Sequence, residues 1–390
     1  MGQTVSMIGS QFTVVAVAFQ VYSLTRSSLQ VRAVSLTQLL PFVAGTLTGG
    51  ALGDAVDRRR LVIASSLLLA VTSGGLTLNA INGKGASVVA IYLVTAVAAE
   101  LAGVVSTCVT STVPALVTSD QLTSAYALMQ VIDQVGMVLG PALSGLLIAA
   151  LGSPWLYGFD ALTFLWTATL LWRMVGTAPS KAARGRPMRS VLEGFRYLRG
   201  RQVLQGAYLI DLFATVFGLP RALFPALTRT VFHGGPTTLG FLFAAPAAGA
   251  LIGSLSSGWL AQVRHQGRFV TAAVGAWGAV IVALGYTRVL WAALIVLGLA
   301  GWADLISAVL RSTIIQSAVF EQFRSRISAV QMAVVEGGSR LGDLESGGMA
   351  TAVSTQFSIV SGGIASVIGA IVLAFLLPGF RRYCWGPNES

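Results

Sequence analysis

Apolar residues in this chain come in runs of about twenty, and its charges are pushed into the gaps between the runs. A helix of about twenty apolar residues matches the hydrocarbon core of a bilayer. Twelve runs fit: Thr4–Leu24, Val31–Leu52, Leu61–Ile81, Val88–Val113, Ser124–Leu151, Trp155–Val175, Val203–Phe224, Thr237–Gln262, Phe269–Tyr286, Val289–Leu310, Ile327–Ser354 and Phe357–Leu377. Only 10% of residues are charged and 55% are hydrophobic, against about 25% charged in soluble domains. The expected class is therefore an all-α integral membrane protein with twelve transmembrane helices, and a soluble core is excluded.

The sharpest gap is Gly49–Leu61, GGALGDAVDRRRL, where Asp54, Asp57 and Arg58–Arg60 sit between a run charged only at its far end, by Arg32, and a run that carries no charge. A charge at mid-bilayer costs about 2.5–3.5 kcal/mol on insertion scales, so this turn belongs at a membrane surface. Arg and Lys density then sets the orientation. With the N-terminus inside, seventeen basic residues fall on the cytoplasmic side, among them Arg58–Arg60, Arg264, Arg268, Arg311, Arg324 and Arg326. Six fall outside: Arg26, Arg32, Lys84, Arg221, Arg229 and Arg288. Both termini are expected in the cytoplasm. The net charge of +11 is carried in short loops, which points to anionic lipid and not to nucleic acid.

Connections are short except Gly176–Gln202, a basic stretch punctuated by Pro179 and Pro187. The expected organisation is a six-helix half over residues 1–176, a cytoplasmic linker over 177–202, a second six-helix half over 203–378, and a cytoplasmic tail over 379–390. An internal repeat supports it. Leu139-Gly-Pro-Ala-Leu-Ser-Gly145 aligns with Leu341-Gly-Asp-Leu-Glu-Ser-Gly347 at an offset of 202, and Gly136 with Gly338. The fifth and eleventh spans thus share a glycine frame.

Three stretches resemble the major facilitator superfamily. The first gap is similar to the loop between its second and third helices, roughly G-x-L-x-D-R-x-G-R-R. Gly50, Leu52, Asp54, Arg58 and Arg59 match, whereas Ala55 and Asp57 replace an Arg and a Gly. Gly136-x3-Gly140-Pro141-x3-Gly145 resembles the fifth-helix motif of its proton-coupled antiporters. The DRRR ending, and GWADLISAVLRSTIIQ over Gly301–Gln316, resemble its branch of enterobactin, macrolide and multidrug exporters. Two parallel six-helix halves are the known architecture of this superfamily. The resemblance implies a gating role for Asp54, opposite the cytoplasmic start of the eleventh span near Ile327, with Arg58–Arg60 standing in for the missing Arg. It further implies that the glycines let helix 5 pack closely while Pro141 bends it. The first span opens almost at Met1, short for the resembled family, so an upstream start is expected.

Acids inside spans are functional candidates by default, and proton coupling needs a carboxyl that can be neutral when desolvated. The candidates are Glu100, Asp133, Asp211, Asp304, Glu336, Asp343 and Glu345. Asp160, near the start of the sixth span, reads as interfacial. In the eleventh span Glu336, Arg340 and Asp343 lie within about 60° of one another on one helical face. Arg340 keeps its proton, so one acid must neutralise it and the other is free to titrate; Asp343, at the repeat position of Pro141, is the expected titrating group. Tyr92, Phe164, Trp166, Phe213, Phe217, Phe241 and Trp302 either line a substrate cavity or pack.

Other chemistry finds little support. Cys108 and Cys384 give no disulfide framework. His233 and His265 lie far apart, with no metal motif, P-loop or nucleophile elbow. The M-G-x-x-x-S opening formally fits myristoylation, but a helix begins there. No cofactor, metal or enzymatic activity is expected. The expected function is a monomeric, proton-coupled secondary exporter of a siderophore, macrolide or other amphipathic small molecule in a bacterial cytoplasmic membrane. Proton-driven uptake of a metabolite, a non-transporting membrane sensor or assembly factor, and a membrane-embedded enzyme are the alternatives.

Overall fold

The computed structural model describes residues 2–116, 122–173, 196–218, 221–319 and 353–384, with Ile327, Val330, Val334, Gly338, Gly342 and Met349 between the last two ranges. Glu336, Arg340, Asp343 and Glu345 lie outside the described residues, as do the side chains of Asp54 and Asp133.

The described residues are helical, with no strand among them. The long helices are α1 (Gly2–Thr25), α2 (Ser28–Ala55), α3 (Arg58–Ile81), α4 (Val88–Leu116), α5 (Leu122–Leu151) and α6 (Ser153–Arg173). They continue as α7 (Gln202–Phe217), the short α8 (Phe224–Thr230), α9 (Pro236–Leu255), α10 (Gln266–Tyr286), α11 (Leu290–Ala318) and α12 (Thr355–Leu376), closed by the single-turn α13 (Pro378–Arg381). Among the described residues, eight segments are long and apolar enough to cross a membrane. Their outward faces are as apolar as their packed ones: Leu255 is 82% exposed and Phe375 72%. A water-soluble monomer does not carry so much apolar surface; lipid must cover it. Hydroxyls inside the helices, such as those of Thr72, Thr77 and Thr95, donate to carbonyls three or four residues back, which removes the need for an outside partner.

Three boundaries differ from the sequence expectation. The seventh run does not form one helix to Phe224: α7 stops at Phe217, and helix resumes at Phe224. At Gly218 a Cβ would overlap the Trp277 ring, and the following Pro220 offers no N–H to continue the ladder. The eighth run is α-helical only to Leu255 and then tightens into a 3-10 turn over Ser257–Gln262. α11 passes the expected end at Leu310 and continues to Ala318, which draws Arg311 inside the protein.

Packing divides the chain into two units, Met1–Ala183 with Pro225–Ala244, and Arg184–Phe224 with Ala245–Ser390. In the first, α2 packs on α4, α3 on α4 and α6, and α1 on α5 and α6. The α2–α4 contact is made at glycines: a Cβ at Gly45 would strike the backbone of Glu100, and one at Gly49 would come 2.7 Å from Val104 Cα. Val62, Val104 and Cys108 form one apolar cluster, and Leu69, Ala70 and Phe164 another. In the second unit α10 packs on α11 and α12, and α7 on α12. The pattern α1, α3, α6 thus recurs as α7, α10, α12.

Candidate functional site

The turn between α2 and α3 is held by its own charges. Asp57 caps α3 by accepting from Arg59 N–H at 3.0 Å. Arg58 Nε donates to Gly53 O at 3.2 Å, closing the end of α2. Arg59 reaches α6, donating from Nε to Leu171 O at 2.7 Å and from its terminal nitrogen to Trp172 O. A cation on the carbonyl end of a helix is favourable because the macrodipole is negative there. Gly50 is not a close-approach glycine; the nearest atom to a Cβ there would be Thr107 Cγ2 at 3.9 Å. The glycines that matter for packing here are Gly45 and Gly49, one turn apart, a pattern legible in the sequence.

The α5 glycines are each occupied by a neighbour. A Cβ at Gly136 would lie 3.2 Å from Met7 Cε, and one at Gly140 2.5 Å from Gln11 Cβ, both on α1. Gly145 faces α9, where a Cβ would come 2.6 Å from Pro236 O and 2.9 Å from Gly240 Cα; Gly240 in turn faces Pro141 O. The repeat behaves alike in the second unit. Cβ atoms at Gly338 and Gly342 would strike Thr215 Oγ1 and Val216 O on α7.

Among the described residues, two aspartates are buried in the protein, one in each unit. Asp160 on α6 is 2% exposed, a burial that its place near the start of the run does not suggest, because α1 and α3 close over it. Its Oδ2 accepts from Thr13 Oγ1 at 2.7 Å and from Ser73 Oγ at 2.9 Å. Its Oδ1 has no hydrogen-bond partner and abuts Gly9, where a Cβ would lie 2.7 Å away. One turn earlier on the same helix, Tyr157 donates to Gln20 of α1 at 2.8 Å.

Asp211 on α7 is held differently. Its Oδ1 meets a terminal guanidinium nitrogen of Arg311 on α11 at 2.7 Å, and the other terminal nitrogen donates to Ser307 at 2.6 Å. Arg311 is 7% exposed, so it is not a solvated loop cation. Asp304, two turns before Arg311, is near enough to act electrostatically on Asp211. Asp211 and Arg311 therefore form a buried ion pair between α7 and α11. Glu100 and Asp304 are exposed, and the described residues give neither an ion pair.

The aromatic candidates do not converge. Phe164 is core, Phe213 stacks on Phe217 at 5.5 Å, Tyr92 donates to Gln30, and Trp302 Nε1 to Ser256 at 3.4 Å. A groove of about 210 Å³ does open in the first unit, lined by Phe19, Tyr22, Thr228, Arg229 and Leu239 among others. The Arg229 guanidinium lies 5.7 Å from the Phe19 ring centroid.

Apolar spans, glycine-packed helix crossings and sparse buried charge define a multi-pass helical membrane protein. Solved transporters share its fold. A peptide transporter POT superposes with a TM-score of 0.78 at 11% identity over 98% of this chain and 94% of that one. The POT family transporter PepTSo gives 0.73 at 12% identity over 97% of each. A bacterial homologue of the iron transporter ferroportin gives 0.72 at 15% identity over 97% of each.

Residues 1–382 match the family model of transmembrane secretion effectors, MFS_3, and the chain belongs to that family. It is similar to the enterobactin exporter EntS of Citrobacter koseri, 31% identical over 381 residues, 97% of this chain and 91% of that protein. The enterobactin exporter EntS of Escherichia coli O1:K1 is 30% identical over 387 residues, 99% of this chain and 92% of that protein.

Proposed function

We propose that this protein is a proton-driven exporter of a siderophore of the enterobactin type, acting from the cytoplasmic membrane of a bacterium. The observation that carries the reading is the near full-length similarity to enterobactin exporters. Substrate and protons move in opposite directions as two six-helix halves, residues 1–176 and 203–378, alternate around a central path. The 177–202 linker and both termini are cytoplasmic, and the chain has twelve spans and works as a monomer. The basic bias of the cytoplasmic segments supports this orientation even when the buried Arg32 and Arg311 are removed from the count.

The glycines of α5 supply the seal. Gly136 and Gly140 bring it against α1, and Gly145 brings it against α9 at backbone distance. Asp54 gates at the turn whose ends Arg58 and Arg59 fasten. Among the proton-coupling candidates, Asp343 in the eleventh span is the titrating group in the second half, with Glu336 neutralising Arg340. Asp211 is committed to Arg311.

Secretion tests the reading directly. Expression in a bacterial strain that makes enterobactin but lacks its own exporter should restore the siderophore to the medium. Unchanged retention in the cells, with the protein present in the membrane, would remove the substrate assignment and leave uptake or a non-transporting role.

A further inference from the structure

Asp160 is a buried acid that the candidate sites leave unused, and its setting is specific. Ionised carboxylates are strongly disfavoured in a dry membrane interior unless paired. On the described stretches of α1, α3 and α6, the charged groups are remote along the helix, and the buried Arg32 stands near the start of α2. On α1 the nearest charge is Arg26, thirteen residues beyond Thr13; α3 carries Arg58–Arg60, at least thirteen residues before Ser73; α6 carries Arg173, thirteen residues on. Each is about 20 Å away along its helix. Tyr22 sits nine residues past Thr13, and Tyr157 is engaged with Gln20. Asp133 and Tyr126 of α5 lie outside the described side chains. Two hydroxyls satisfy Oδ2, and Oδ1 remains open beside Gly9. A proton on Oδ1 removes the charge without any new neighbour and leaves both hydroxyl contacts to Oδ2 in place.

The same turn of α1 touches the α5 seal on its other side. Met7, Ile8 and Gln11 face Gly136 and Gly140, whereas Gly9 and Thr13 face α6. At 100° per residue the two sets point roughly 170° apart. α1 is thus clamped between the antiporter-type glycines and the acid.

We propose that Asp160 is a proton-binding residue of the exporter and that α1 carries its protonation state to the α5 seal. In the closed arrangement the carboxyl is neutral, with the proton on Oδ1. Release breaks the Oδ1–H bond, passes the proton to water admitted where Gly9 abuts it, and leaves a carboxylate held by Thr13 and Ser73. Admitting that water requires α1 to move off α6, which shifts its opposite face against Gly136 and Gly140. This rests on the antiport reading above and adds a residue that sequence reasoning had set at the interface.

Infrared difference spectroscopy of the purified protein in lipid nanodiscs, stepped between acid and alkaline pH, tests it. A protonated-carboxyl band should disappear on the alkaline step, be missing in Asp160→Asn, and persist in Asp211→Asn. Because Asp160→Asn could fail to fold, the second variant is Thr13→Val with Ser73→Ala. It should move the band to higher frequency, since the carbonyl loses both hydrogen bonds. A band unchanged in both variants, or no such band at any pH, overturns the proposal. The spectrum needs no transport, so a band that behaves as expected beside export indifferent to a proton gradient would instead overturn antiport.

Discussion

Among the described residues, each of the two units buries one aspartate, and they stabilise it by opposite means. In the first, Asp160 has hydroxyls on one oxygen and no counter-charge. In the second, Asp211 has a guanidinium at 2.7 Å. The internal repeat sharpens the contrast. At its offset of 202, Asp211 corresponds to Gly9, the residue that makes room for Asp160, and Asp160 corresponds to Gly362. A Cβ at Gly362 would lie 2.6 Å from Phe217 O on α7. The repeat therefore exchanges acid and glycine across the same helix pair. A paired carboxylate stays ionised and fixes two helices; an unpaired one can be neutral, and can change.

The largest effect separates them by removing a charge partner. Asp211→Asn leaves Arg311 buried without its carboxylate and should cost about 3–5 kcal/mol, read as a loss of thermal stability in detergent. Replacing both members, Asp211→Leu with Arg311→Met, should recover most of that loss, because an apolar pair of similar volume avoids the desolvation. If the single variant is as stable as the parent, the ion pair is not what holds α7 to α11.

Next in size is Gly9→Val. Its added atoms have no room beside Asp160 Oδ1 and Thr163 Oγ1, at 2.7 and 2.5 Å from the Cβ, so about 1–3 kcal/mol should be lost. Asp160→Asn should be milder, within about 1 kcal/mol, since a neutral amide oxygen still accepts from Thr13 and Ser73. An effect as large as that of Asp211→Asn would mean that Asp160 carries a charge. The smallest change is Gly50→Ala. Nothing comes within 3.9 Å of its Cβ, so stability should hold or rise by up to about 1 kcal/mol. Gly49→Ala, packed on Val104, should lose stability in the same assay.

The sequence made the helices legible because lipid imposes length and apolarity: the run Leu61–Ile81 falls within α3, and Phe357–Leu377 nearly coincides with α12. It made the α5 glycine frame legible because close crossings need small residues at fixed spacing. It missed the burial of Asp160 and Arg311 for one reason. Both stand near the ends of apolar runs, where a charge ordinarily meets water, and only the helices that fold over them bury them. Thr13, Ser73 and Gly9 carry no signal of their own; hydroxyls and glycines are common in every span.

The central claim is that proton movement drives export, and inside-out membrane vesicles test it most directly. With the lumen made acid, vesicles containing the protein should accumulate enterobactin, and collapsing the pH difference with a protonophore should stop them. The account predicts that Asp160→Asn, present at normal abundance, still equilibrates enterobactin but no longer concentrates it. Accumulation that continues at full extent after the gradient is collapsed would contradict the account.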